Sequence, residues 1–200
     1  PILVKIEEYP RVGASVFNTI REEYPEKSII FQGNDYSIRF DGKNLNRVIP
    51  QREIFDFRMT FDSPDEDAIY DIIEAREAND NILDDVVLCY FDYHGSLPGP
   101  ATFNLSLGRK FSNETLYWHY YNQERDRIDY YGSLKSNSKG TVAVSIDHFS
   151  TYIVSPTHRI AGSEDKDGII DQLGFVSNGQ DLLGSGGKLN PDTGETEERP

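Results

Sequence analysis

Thr115-Leu116-Tyr117-Trp118-His119-Tyr120-Tyr121, then Arg127-Ile128-Asp129-Tyr130-Tyr131, then Thr141-Val142-Ala143-Val144-Ser145-Ile146 is the stretch whose reading decides the fold. Aromatic and β-branched residues dominate all three runs, and Asn122 and Gly140 punctuate them at strand-length intervals. Outward from here, residues 86–93 and 102–107 have the same character, bounded by Gly95, Pro98-Gly99-Pro100 and Gly108, and the last run continues to Val154. This is the rhythm of an antiparallel sandwich rather than of βαβ units.

Upstream, residues 2–6 are apolar enough for an opening strand, and Val12, Val16, Phe17, Ile20 and Tyr24 recur at helical spacing until Pro25. Residues 28–31 and 36–40 flank Gly33-Asn34-Asp35 and predict a hairpin. Phe55, Phe57, Met59 and Phe61 alternate with Asp56, Arg58 and Thr60, which predicts one strand with one buried face. Ser63-Pro64-Asp65-Glu66 offers an N-cap, a proline at the first helical position and a capping-box Glu, so a helix is expected over 64–78. Two helices are too few for a doubly wound fold. The fold class expected is mainly β, an antiparallel β-sandwich with one or two short helices and a flexible C-terminal tail.

The tail begins where composition changes: residues 156–200 hold 8 of the 16 glycines, which reads as an acidic linker after a sandwich spanning 1–155. Ile169, Leu173, Phe175, Leu182 and Leu183 leave docking against the sandwich open. Asp165 and Asp167 precede Gly168 as in a calcium loop, but the bidentate acid due seven positions after Asp167 is Gly174, so no metal and no cofactor is expected. Cys89 is the only cysteine, which excludes an intrachain disulfide. It shares its parity with Val87, Phe91 and Tyr93 and reads as a small core residue.

Lys and Arg number 20 against 34 Asp and Glu, a net charge of −14, and no basic cluster interrupts the acidity. Sequence-independent nucleic-acid binding, which needs a positive face, is not expected. No apolar run reaches the roughly 18–20 residues needed to span a bilayer. A chain that opens at Pro1 and ends in an acidic tail reads as a piece of a longer protein, with any membrane contact supplied by a segment outside it.

Three stretches carry a resemblance: Ala14-Ser15-Val16-Phe17 through Tyr36-Ser37-Ile38, then Tyr117-Trp118-His119-Tyr120-Tyr121-Asn122, and Ile146-Asp147-His148-Phe149-Ser150-Thr151-Tyr152-Ile153-Val154. Together, over roughly residues 10 to 154, they resemble the β-sandwich modules of large surface proteins of Gram-positive bacteria. In those modules a His-Phe-Ser-x-Tyr segment closes the last strand, often just before a cell-wall attachment region. The resemblance implies extracellular, wall-attached display and no known catalytic residues. In the tail, Asn190-Pro191-Asp192-Thr193-Gly194 resembles a sortase sorting motif of the Pro-x-Thr-Gly type, with Asn190 where Leu is usual. It implies sortase and the cell wall as partners and cleavage between Thr193 and Gly194.

The residues themselves add three expectations. Val142, Val144 and Ile146 share a parity that passes at His148 to Phe149, which predicts a bulge or sheet corner, with His148 structural rather than a metal ligand or base. Strand parity places Trp118 and Tyr120 on one face and Tyr117, His119 and Tyr121 on the other. An exposed row of Tyr117, His119 and Tyr121 is a candidate ligand-binding surface for a glycan, or for a host or bacterial surface protein; the alternative is an aromatic ladder that stiffens the sheet. Asp84, Asp85, Asp92 and Asp147 fall at strand ends or solvent parities and read as solvated surface, and no nucleophile elbow, phosphate loop or HExxH helix occurs. The function expected is therefore non-catalytic, with carbohydrate binding as the alternative to a spacer, stalk or adhesion element.

Overall fold

Two long strands form the spine of the computed structural model, which describes residues 1–45, 48–77 and 81–161 and two short strands beyond them. They are β7 (Val87–Ser106) and β10 (Thr141–Ser155). They run antiparallel, with Thr141 opposite Ser106 at one end and Val154 opposite Val87 at the other. One wing hangs on each: β4 (Tyr36–Asp41), β3 (Ser28–Gln32) and β1 (Ile2–Lys5) extend from residues 101–105 of β7, and β8 (Thr115–Asn122) and β9 (Arg127–Lys135) extend from residues 152–155 of β10. The fold is mainly β and antiparallel, as the sequence predicts. The exception is β1, which runs parallel to β3 because α1 (Ala14–Glu23) lies between them in the chain and carries it back across the sheet.

The register of the spine breaks twice, between Ile146 and His148 and between Phe149 and Thr151. Residues 97–100, the Leu97-Pro98-Gly99-Pro100 run, face the first break and residues 91–94 the second. The parity switch at His148 is thus a bulge, as expected. The breakers Gly95 and Pro98-Gly99-Pro100 do not divide two strands, however: β7 runs through them, and the extra residues are absorbed as irregularities that bend the spine. The bend brings both wings onto one core. Phe103, paired with Ile38 of the first wing, lies 6.0 Å from Trp118 of the second.

That core is aromatic. Phe17 of α1 sits 5.3–6.0 Å from Phe40, Phe55, Phe31 and Phe57, while Phe91 stacks on Phe149 at 4.1 Å and Trp118 on Tyr152 at 4.7 Å. Cys89 is fully buried among them, and burial raises its thiol pKa far above the usual range. The single strand expected over 55–61 is two: β5 (Ile54–Asp56) pairs with β2 (Arg11–Gly13), and β6 (Met59–Thr60) pairs with β7. At the break the Tyr36 hydroxyl donates to the Phe57 carbonyl at 2.7 Å and accepts from the Met59 amide at 3.1 Å, so main-chain groups that would have joined a ladder are satisfied by a side chain.

On the opposite face of the spine, α2 (Glu66–Arg76) packs Ile69 and Ile73 in a second cluster with Leu88, Tyr121, Ile128 and Ile153. It starts two residues later than expected because the Ser63 hydroxyl accepts from the Asp65 amide, closing a turn before the helix rather than capping it. Ile160 and Ala161 are buried in the same cluster, and Arg76 donates to the Ile160 carbonyl at 3.0 Å. The linker boundary expected at 156 is therefore corrected: the packed unit continues through Ala161. Beyond it, β11 (Val176–Ser177) pairs with β12 (Gln180–Asp181). The remaining tail positions, among them Asp165, Asp167 and the sorting-like Asn190, Pro191, Asp192, Thr193 and Gly194, lie outside the described residues.

The turn into β10 supplies a test. Gly140 has φ +74°, and a Cβ there would stand 1.8 Å from the Gly108 carbonyl oxygen. Gly108 has φ +83° with open space around it. Gly108→Ala is expected to cost roughly 1–2 kcal/mol of backbone strain, and Gly140→Ala distinctly more, because it must also push the Gly108 peptide aside. Urea denaturation of both variants checks the order.

Candidate functional site

The hairpin β8–β9 holds all three predicted binding residues. Its register slips once, between Trp118 and His119, which face Gly132 and Tyr130, so Tyr131 is the extra residue of a bulge. The division of faces is as predicted; what the pattern did not show is that both faces are covered. Trp118 is buried in the aromatic core, while the face of Tyr117, His119 and Tyr121 lies under α2 and residues 157–161.

Tyr117 is half-buried, 5.4 Å from the His158 ring and 6.2 Å from Tyr130. His119 is wholly buried, opposite Ile153 on β10 and 5.5 Å from the Tyr130 ring. Burial pushes its pKa down to about 4, a shift the nearby carbonyls of Ile153, His158 and Tyr117 only partly oppose. Neither of its ring nitrogens makes a hydrogen bond of ordinary geometry, so those carbonyls act as dipoles rather than as firm partners. Tyr121 is 5% exposed and donates to Asp126 at 2.7 Å, and burial, reinforced by that carboxylate, pushes its phenol up to about 12. The exposed row needed for ligand binding is thus corrected to a buried ladder: of the three, only Tyr117 reaches the surface.

Tyr120 on the other parity is different. It stacks on Tyr131 at 5.7 Å with an interplanar angle of 17°, meets the His148 ring edge-on at 5.6 Å, and is half-buried. Beside it is a hollow of about 320 Å³ whose lining includes Asp65, His94, Gln123, Ser150 and Thr151. The hollow lies where the spine breaks register between Phe149 and Thr151. The parity switch at His148 marked the neighbouring break between Ile146 and His148, and no sequence signal marked this one or what lines it.

No protein family, curated protein or solved structure matches the chain. The chemistry must come from the residues. His148 donates through Nδ1 to Asp147 at 2.7 Å, holding that carboxyl below the usual carboxylate range, and its carbonyl accepts the Tyr152 hydroxyl at 2.6 Å. It sits at the first register break of the spine. Asp84 and Asp92 are exposed, and Asp85 pairs with Lys110 at 2.6 Å. Among the described residues no group of three or more His, Cys, Asp or Glu is placed to hold a metal ion, and no helix is long and apolar enough to cross a membrane.

Burial of neutral His119 makes stability depend on pH. In the unfolded chain this imidazole takes a proton near pH 6.5, but in the folded chain only near pH 4. Between these values the unfolded state binds more protons, so stability falls as pH is lowered, by about 3 kcal/mol across the window. His119→Gln is expected to flatten that part of the profile in urea melts between pH 7 and pH 4. A slope unchanged by the substitution would assign it to other groups. Tyr121→Ala, which empties a buried site, is expected to cost roughly 3 kcal/mol in the same assay.

Proposed function

We propose that the chain is a non-catalytic extracellular module, a spacer, stalk or adhesion element, of a larger cell-wall-anchored bacterial surface protein. The observation that carries this reading is the work done by the segment on which the resemblance rests. Phe149 stacks on Phe91, Tyr152 stacks on Trp118 and ties back to the His148 carbonyl, and Thr151 and Ser150 are buried at the register break. A His-Phe-Ser-x-Tyr segment whose Phe149 and Tyr152 rings are committed to the core in this way is a closing device for the sheet, and those rings hold a rigid body together. A spacer needs that rigidity. The sorting-like Asn190-Pro191-Asp192-Thr193-Gly194 then supplies the attachment, with sortase and the cell wall as partners.

Two measurements test the reading. A peptide of residues 188–195 is expected to be cut between Thr193 and Gly194 by a sortase of the source bacterium, and Thr193→Ala to abolish the cut. No cleavage, with the full-length protein found away from the wall fraction, would overturn attachment. On glycosides, esters and peptides the chain is expected to show no turnover; turnover lost in Asp92→Asn or Asp147→Asn would overturn the non-catalytic assignment.

A further inference from the structure

The hollow beside Tyr120 combines a braced aromatic ring with several polar side chains, Asp65, Gln123, Ser150 and Thr151 among them. A larger one, about 490 Å³, is lined by Phe61, Val86, Leu88 and Leu107 together with Asp35, Tyr70 and Ser106, and a smaller one, about 250 Å³, has Tyr36, Asp35 and Arg58 in its lining. We propose that the Tyr120 hollow binds a neutral saccharide. This goes beyond the spacer reading, which assigns no ligand, and does not depend on wall attachment.

Four observations carry it. Tyr120 is braced by the Tyr131 stack and by the His148 ring, so the part of its ring left exposed is a fixed apolar surface of the kind that packs on the C–H face of a pyranose. Gln123 donates to both oxygens of Asp65, at 3.0 and 3.1 Å, and both residues line the hollow. That contact orients the carboxylate and leaves it lone pairs for sugar hydroxyls. Ser150 and Thr151 line the hollow where the β7–β10 register breaks, placing hydroxyl-bearing residues at a site where a regular ladder would present only paired backbone. Finally, the charged residues of the lining are Asp65 and Glu124, with no Lys or Arg. An anionic ligand would meet repulsion and find no ion pair, so uncharged hydroxyls are the complementary chemistry. At about 320 Å³ the hollow is at the small end of ligand sites, which suits one or two sugar rings rather than a long chain.

The test is an amide chemical-shift titration of the 200-residue chain. The probes are trisaccharides of glucose, galactose, mannose and N-acetylglucosamine, with trigalacturonate as the anionic control. A neutral trisaccharide is expected to shift amides of residues 92–94, 120–124 and 150–151, with trigalacturonate giving no shift. Tyr120→Leu, which keeps apolar bulk, and Asp65→Ala, at a surface turn, are each expected to weaken binding roughly tenfold or more, while the melting temperature of Asp65→Ala stays near that of the wild type. Absence of shifts with all four neutral probes would overturn the proposal. So would shifts centred on Tyr117 instead, equal binding of trigalacturonate, or full affinity in both variants. None of these results bears on sortase cleavage, so the two proposals fail separately.

Discussion

The antiparallel pairing of β7 with β10 is the interaction on which the remainder of the structure depends. Each of these strands carries a wing, and neither wing touches the other through hydrogen bonds. What brings them together is the pair of register breaks, because a ladder of this length without them would stay an open, twisted sheet with its apolar face in water. Bent, the same sheet closes over Phe103, Trp118 and the stacked Phe91–Phe149 pair. The Pro98-Gly99-Pro100 run is accordingly placed where a ladder can spare its amide donors.

The spine also explains where polar atoms are left poorly satisfied. The Trp118 indole nitrogen and both ring nitrogens of His119 are buried without a hydrogen bond, and these two residues flank the β8 side of the β8–β9 bulge. Each such atom costs about 1–3 kcal/mol. The stack of Trp118 on Tyr152 and the aromatic surroundings of His119 offset this, so the hairpin is held by ring contacts more than by polar ones.

Periodicity made the strands legible because one buried face leaves a strict alternation, and it placed Cys89 and Phe57 inside, while for β8 it separated the two faces without saying which is core. It did not reveal what covers the second face. The apolar stripe of α2 and the late residues Ile160 and Ala161 settle the burial of His119 and Tyr121, and no local pattern in β8 encodes contacts with segments about 40 residues away in either direction. The Phe55-to-Phe61 alternation failed as a single strand for a related reason: the competing partner is the hydroxyl of Tyr36, a distant side chain. Tyr120 was assigned correctly by parity to the Trp118 face. Its partial exposure comes from the opening in the spine, which is a property of paired strands rather than of either sequence run.

The position of β10 has a consequence for how the chain is made. The last strand of the sandwich is central in the sheet, between β7 and β8. Until residue 155 has left the ribosome, β7 and β8 have no neighbour to separate them, and the two wings cannot share a core. The packed unit can therefore close only once that strand is available, through contacts distant in sequence that form slowly. A nascent chain that stays unfolded until its final strand is complete is one that an export channel can thread as an extended polypeptide.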